Sequence, residues 1–231
     1  MTSLAAPLPL PRAAMPWTWA GLTLAMFGTP LFLWLFRLDV GDAAGLAPYL
    51  SREGAIFAMA GLLLLLVRRG EREPWSSLGW HTDRLGNAAL WSLLGLVLSA
   101  VVLVVCVLIA QAMHWKLGLQ EAPKWEPPVW AMAITVLRAG VTEELFYRGF
   151  ALTRLERITG STWLAVVLTV IPFALFHYRQ GPAGILIAGM AALALSFIFV
   201  KRRSLPAVML THFTMDFIPN VLLPLLGADV G

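Results

Sequence analysis

The sequence is short of charge. Of its 231 residues, 13% are Asp, Glu, Lys or Arg and 59% are hydrophobic, whereas a soluble domain carries about 25% charged residues. So little charge cannot cover a water-facing surface, and a soluble globular fold is excluded. Cysteine is almost absent as well. The single Cys106 sits in the apolar run 101–110, which rules out a disulfide framework or a cysteine-based metal site and marks an inert buried thiol. There is no internal repeat, no low-complexity tract and no second domain. The net charge of +4 comes from 17 basic and 13 acidic residues spread over many connections. No dense basic patch forms, so nucleic acid is not a partner.

What the sequence has is apolar runs. At about 20 residues per membrane-spanning helix, seven can be read, at roughly 17–36, 54–67, 86–110, 129–150, 162–177, 183–200 and 206–226. The expected fold is all-α, a polytopic membrane helix bundle of about seven transmembrane helices in membrane lipid. Residues 1–16, with Pro7, Pro9, Pro11 and Pro16, read as a flexible N-terminal tail without the pattern of a cleavable signal. Residues 17–128 hold the first membrane helices and 129–226 a membrane core. The second run is short, and its start can reach back toward Ala47. The ten tryptophans read as interfacial anchors.

Assigning Lys and Arg to alternating sides puts ten on one side (Arg12, Arg68, Arg69, Arg72, Arg84, Arg154, Arg157, Lys201, Arg202, Arg203) and five on the other (Arg37, Arg52, Lys116, Lys124, Arg179). The positive-inside rule makes the richer side cytoplasmic. This predicts an integral protein of the cell membrane with its N-terminus inside.

Seven ionisable residues then remain inside apolar runs: Arg138, Glu143, Glu144, Arg148, His177, His212 and Asp216. Each costs several kcal/mol in lipid unless it faces the bundle interior with a partner. Residues four apart share a helix face, which pairs Glu144 with Arg148, Phe173 with His177, and His212 with Asp216. Glu143 is turned by about 100° from Glu144, so one carboxylate can face a cavity while its neighbour pairs with arginine. Counting at 1.5 Å per residue from the cytoplasmic ends of the runs places the two glutamates roughly 10–12 Å deep, His212 roughly 9 Å, Asp216 roughly 15 Å and His177 roughly 21 Å. All but His177 meet, near a site opening to the cytoplasm. Arg138 has no motif role and either pairs with a carboxylate or snorkels outward.

A carboxylate and two histidines in a partly dry cavity are equipment for activating water. Glu144 with Arg148 reads as the ion pair and Glu143 as the base, with the opposite assignment open. The same types could ligate zinc through Glu143, His177 and His212, although no HExxH motif is present. No metal is assigned, and the cofactor is either a divalent ion such as zinc or none.

Glu143-Glu144-Leu145-Phe146-Tyr147-Arg148 is EExxxR, Phe173 to His177 is FxxxH and His212 to Asp216 is HxxxD. In this order, on successive hydrophobic segments, they resemble the CPBP family of intramembrane proteases, which includes the CAAX prenyl endopeptidases and the bacteriocin-processing or immunity (Abi) proteins. The resemblance spans residues 130–220. It implies peptide-bond hydrolysis by Glu143 and His177, an oxyanion supported by His212 and Asp216, and bracing by Glu144 and Arg148. It also implies a peptide or protein substrate, prenylated or a leader peptide. The prenyl proteases often have Asn where this chain has Asp216; an ionised Asp cannot donate to an oxyanion, so Asp216 is protonated, orients His212 or binds a metal. Two other classes compete. A non-enzymatic immunity or scaffold protein on this fold would lose catalytic positions, and all are filled here. A proton-coupled transporter would favour two similar halves, whereas the seven charges all lie in one half.

Overall fold

The computed structural model describes residues 11–36, 45–81, 85–121 and 123–227. Among them every regular element is helical. Seven helical bodies follow one another: α1 (Arg12–Phe36), α2 (Leu46–Glu71), α3 (Leu85–Ala112), α4 (129–159), α5 (Thr162–Leu175), α6 (Tyr178–Arg202) and α7 (Leu205–Leu225). They correspond in order to the seven apolar runs. α1, α2, α3, α6 and α7 are long and apolar enough to cross a membrane. α4 is long but carries Arg138, Glu143, Glu144 and Arg148, and α5 at 14 residues rises only about 21 Å. α1 is helical from Arg12, inside the stretch expected to be a tail; the rest of that tail, 1–10, lies outside the described residues.

α4 is the axis of the bundle. All eight residues of its middle stretch, Leu145–Leu152, are buried, as only a helix surrounded by others can be. α1, α2, α5 and α7 pack around it, while α3 closes one side against α6 and α7. α3 turns Leu90, Leu93, Val97, Val101, Val104 and Leu108 outward, the surface that hydrocarbon would cover. Cys106 is buried on its inner face.

Two local choices of sequence set the register. Gly160 takes a left-handed φ of 69° and ends α4, as glycine after a helix commonly does. Ser161 then caps α5, its hydroxyl accepting from the Leu164 N–H. At Gly140, an added Cβ would lie 2.9 Å from the Phe213 backbone; its absence lets α4 and α7 touch main chain to main chain.

Two charges read as loop residues are buried instead. Arg52 lies inside α2, which begins at Leu46, about where the reach back toward Ala47 put it and well before 54, and Arg154 lies inside α4, which runs nine residues past 150. Arg154 uses all five of its N–H donors. Nε and Nη2 bond Glu71 (3.0 and 2.8 Å), Nη1 bonds Ser77 O and Thr153 Oγ1 (both 3.0 Å), and Nη2 also bonds Ser77 Oγ (3.0 Å). Glu71 in turn accepts from Thr18 Oγ1 at 2.6 Å. One buried ion pair thus ties α1, α2, α4 and the short turn Trp75–Leu78 together.

Candidate active site

The adjacent glutamates of α4 face opposite ways. Glu144 is fully buried; its Oε1 accepts from Arg148 Nη1 at 2.8 Å and lies 2.7 Å from His212 Nδ1. Arg148 also donates to the Ala192 carbonyl of α6 at 3.1 Å and stacks 5.1 Å from the Phe173 ring. His212 Nε2 lies 3.4 Å from Asp216 Oδ2, one helical turn on. Both ring nitrogens of His212 therefore face carboxylate oxygens, an arrangement served by two N–H donors.

Glu143 points instead into a cavity of about 760 Å³, within the range of ligand pockets. His177, His212 and Asp216 also line it, whereas Glu144 and Arg148 lie behind its wall. Glu143 Oε1 accepts from Arg138 Nη1 at 2.9 Å. The two glutamates thus have different surroundings, Glu143 at the cavity and Glu144 with Arg148 and His212.

Arg138 does not snorkel. Its Nε donates to Glu53 Oε2 at 2.7 Å, and Glu53 Oε1 accepts from Arg52 Nε at 2.8 Å. Arg52–Glu53–Arg138–Glu143 is thus a continuous chain of alternating charge reaching the cavity from α2. Sequence reading missed Arg52 and Glu53 because they were placed in a loop. The signal was there: Tyr49, Arg52 and Glu53, Ile56, Ala60, Leu63 and Val67 are all buried, a helical stripe that continues through the charged pair.

His177 sits just past the end of α5, its Nδ1 2.8 Å from the Phe173 carbonyl oxygen. A carbonyl oxygen only accepts, so Nδ1 carries a proton and neutral His177 keeps its acceptor lone pair on Nε2. Phe173 contacts the His177 ring (4.8 Å) and the Tyr147 ring (4.9 Å, near perpendicular), so it joins the ion-paired wall to the histidine. The depth mismatch for His177 comes from the early end assumed for α4. With the α4–α5 turn at 159–162, Glu143 lies 16 residues and His177 15 residues from it, about 24 and 22 Å along their helices. α7 starts higher, since Leu205 lies against Gly149, which brings His212 level with Glu144.

The cavity opens at the end of the bundle opposite that turn. Its mouth carries Leu119, Tyr178, Arg179 and Gln180, and its walls are the second halves of α1 and α7 and the first half of α2. The connections richest in Lys and Arg, expected to be cytoplasmic, lie at the turn end rather than at this one. The expected opening was counted from an α4 that ends at 150.

Among the described residues no three His, Cys, Asp or Glu side chains are gathered as a set able to hold a metal ion. Glu143 is engaged by Arg138, and both nitrogens of His212 by carboxylates. The Glu143, His177 and His212 set is not arranged to hold a metal.

Residues 124–218 match the family model described as Type II CAAX prenyl endopeptidase Rce1-like. Over those residues the chain is similar to the Rce1-like endopeptidases. All three motifs fall inside the match, in agreement with the resemblance they carry. At family level this supports a CAAX-protease-like peptidase of the membrane, acting on a peptide or protein substrate. The chain matches no curated protein and no solved structure. Of the Arg52 to Glu143 charge chain, only Arg138 and Glu143 lie in the Rce1-like segment; α2 lies outside it.

Proposed function

We propose that the protein is an intramembrane endopeptidase in which Glu143 and His177 activate water. The observation that carries this reading is that Glu143, His177, His212 and Asp216 line one cavity while Glu144 and Arg148 sit behind it. Glu143 takes a proton from water as the water oxygen attacks the scissile carbonyl carbon, and His177 Nε2 holds the water's second hydrogen. The resulting oxyanion is stabilised by the Nε2–H of His212, which the long 3.4 Å contact with Asp216 leaves able to be shared, while Glu144 orients the ring through Nδ1. Collapse breaks the C–N bond, and the proton held by Glu143 passes to the departing amine. Glu144 and Arg148 hold His212 and Phe173 in place. Arg138 supplies the counter-charge that a buried Glu143 needs.

The test is turnover of a peptide substrate, farnesylated or unmodified, by detergent-purified protein. Glu143→Gln should abolish cleavage with unfolding unchanged; retained turnover overturns the assignment of Glu143 as base. Comparing the two peptides reads the substrate class, and metal analysis with chelator treatment of the same preparation reads the cofactor.

A further inference from the structure

We infer that the cavity takes its substrate from the non-cytoplasmic side of the membrane; the word substrate rests on the peptidase reading, the orientation does not. Two independent observations meet here. The first is where the cavity lies. While α6 closes the inner end of the cavity with Ile187 to Leu195, lining residues of α1 (Phe27, Leu31, Trp34), α2 (Arg52, Ile56) and α7 (Met215, Asp216, Asn220), and His177 to Gln180 after α5, belong to the halves of their helices nearest one end of the bundle. That end is the one at which α4 begins and α5 finishes.

The second is where the basic residues lie. At the opposite end are Arg12, Arg68, Arg69, Arg72, Arg157, Lys201, Arg202 and Arg203; at the cavity end, Lys116, Lys124 and Arg179. Removing Arg154 and Arg52 from the tally, because both are buried, leaves the imbalance intact. Arg37 and Arg84 lie outside the described residues and are left out of the tally. Short connections with such an excess stay in the cytoplasm. The mouth therefore faces away from it.

The partner chemistry follows from the lining. Phe27, Leu31, Leu33 and Trp34 of α1 share the cavity with Glu143, Asp216 and the histidines. This suits an apolar peptide segment in or just above the outer leaflet, one already carried across the membrane. A cytoplasmic protein could not reach it.

The lone native thiol makes the test direct. In a Cys106→Ala background, Tyr178→Cys at the mouth and Arg202→Cys at the basic end are expressed in spheroplasts and exposed to a membrane-impermeant maleimide. Tyr178→Cys should label before lysis and Arg202→Cys only after it. Met113→Cys and Arg69→Cys, exposed at the same two ends, repeat the comparison should either first variant fail to insert. Labelling of the basic end before lysis, with the mouth protected, overturns the inference. Loss of cleavage in the peptide assay bears on the peptidase reading alone, since the labelling pattern does not depend on it.

Discussion

Arg154 is the sharpest test of the packing argument, because it is fully buried and takes no part in the cavity. In Arg154→Met the side chain keeps its bulk but loses five hydrogen bonds, and Glu71 loses its only cationic partner among the bonds described for it. Removing one member of a buried ion pair costs about 3–5 kcal/mol, mainly because the other charge is left uncompensated. The same argument says that removing both is cheaper. Glu71→Leu combined with Arg154→Met should recover part of the loss, giving a coupling of about 0.5–3 kcal/mol between the two sites. The measurement is the unfolding transition of purified protein in mixed micelles, followed by far-ultraviolet circular dichroism as denaturing detergent is titrated in. Activity per folded molecule should stay at the wild-type level. A single variant within about 0.5 kcal/mol of wild type, the range of inconsequential surface changes, or a double variant whose loss equals the sum of its parts, would refute the reasoning.

Other outcomes follow from the site. Arg138→Gln should lower kcat for peptide cleavage far more than it raises KM, with partial rescue by Arg138→Lys, since the guanidinium meets Glu143 rather than the bulk of the cavity; an unchanged kcat would show that Glu143 needs no partner. Asp216→Asn should keep most turnover, because an amide can still accept from His212, whereas Asp216→Leu should not; equal loss in both requires a charge at 216. Gly140→Val should cost about 1–3 kcal/mol by overpacking and also impair cleavage, by pushing Phe213 and with it His212 away from Glu144; thermal unfolding and turnover are read together, and a stable, active variant would contradict the contact. In the last turns of α4, beyond the end of its apolar run at 150, burial alone would raise the Glu156 carboxyl, but hydrogen bonds from Arg203 and Thr162 and the charge of Arg203 outweigh it and hold it below the usual glutamate value. A depressed carboxyl contributes stability that is present above its unfolded pKa and lost as pH falls through the lower, folded one. Acid titration of unfolding should therefore show a loss in the mildly to strongly acidic range that Arg203→Gln reduces.

Seven helices were legible because lipid allows little else: apolar runs of sufficient length, punctuated by Gly160, Ser161 and paired prolines, leave few alternatives. The three motif pairs were legible because spacing of four fixes a face, and Glu144 with Arg148 and His212 with Asp216 meet as that spacing says. Contacts between helices were not. Spacing along α4 says nothing about which helix Arg138 meets, and Glu53 is 85 residues away. Helix ends failed for a related reason. A charged residue reads as the end of a span, yet Arg52 and Arg154 are interior because a carboxylate waits on a neighbouring helix. The same error shortened α4 and sank His177 out of register with Glu143.

The charges around the cavity fall into two sets, and the sets explain why two glutamates must be adjacent. Arg52, Glu53, Arg138 and Glu143 carry two charges of each sign between α2 and α4. Glu144, Arg148, His212 and Asp216 do the same between α4 and α7 once His212 carries both ring protons. Each set is neutral within itself, the condition under which buried charges are tolerated in a membrane. The one-residue step from Glu143 to Glu144 sends one carboxylate to each. Any other spacing would either aim both at the same side, overloading one set, or separate them along the helix and pull Glu143, the proposed base, out of line with His212. Adjacency also means that the α2 set cannot be lost without loosening Glu143, which makes the N-terminal helices part of the site although the Rce1-like match begins only at residue 124.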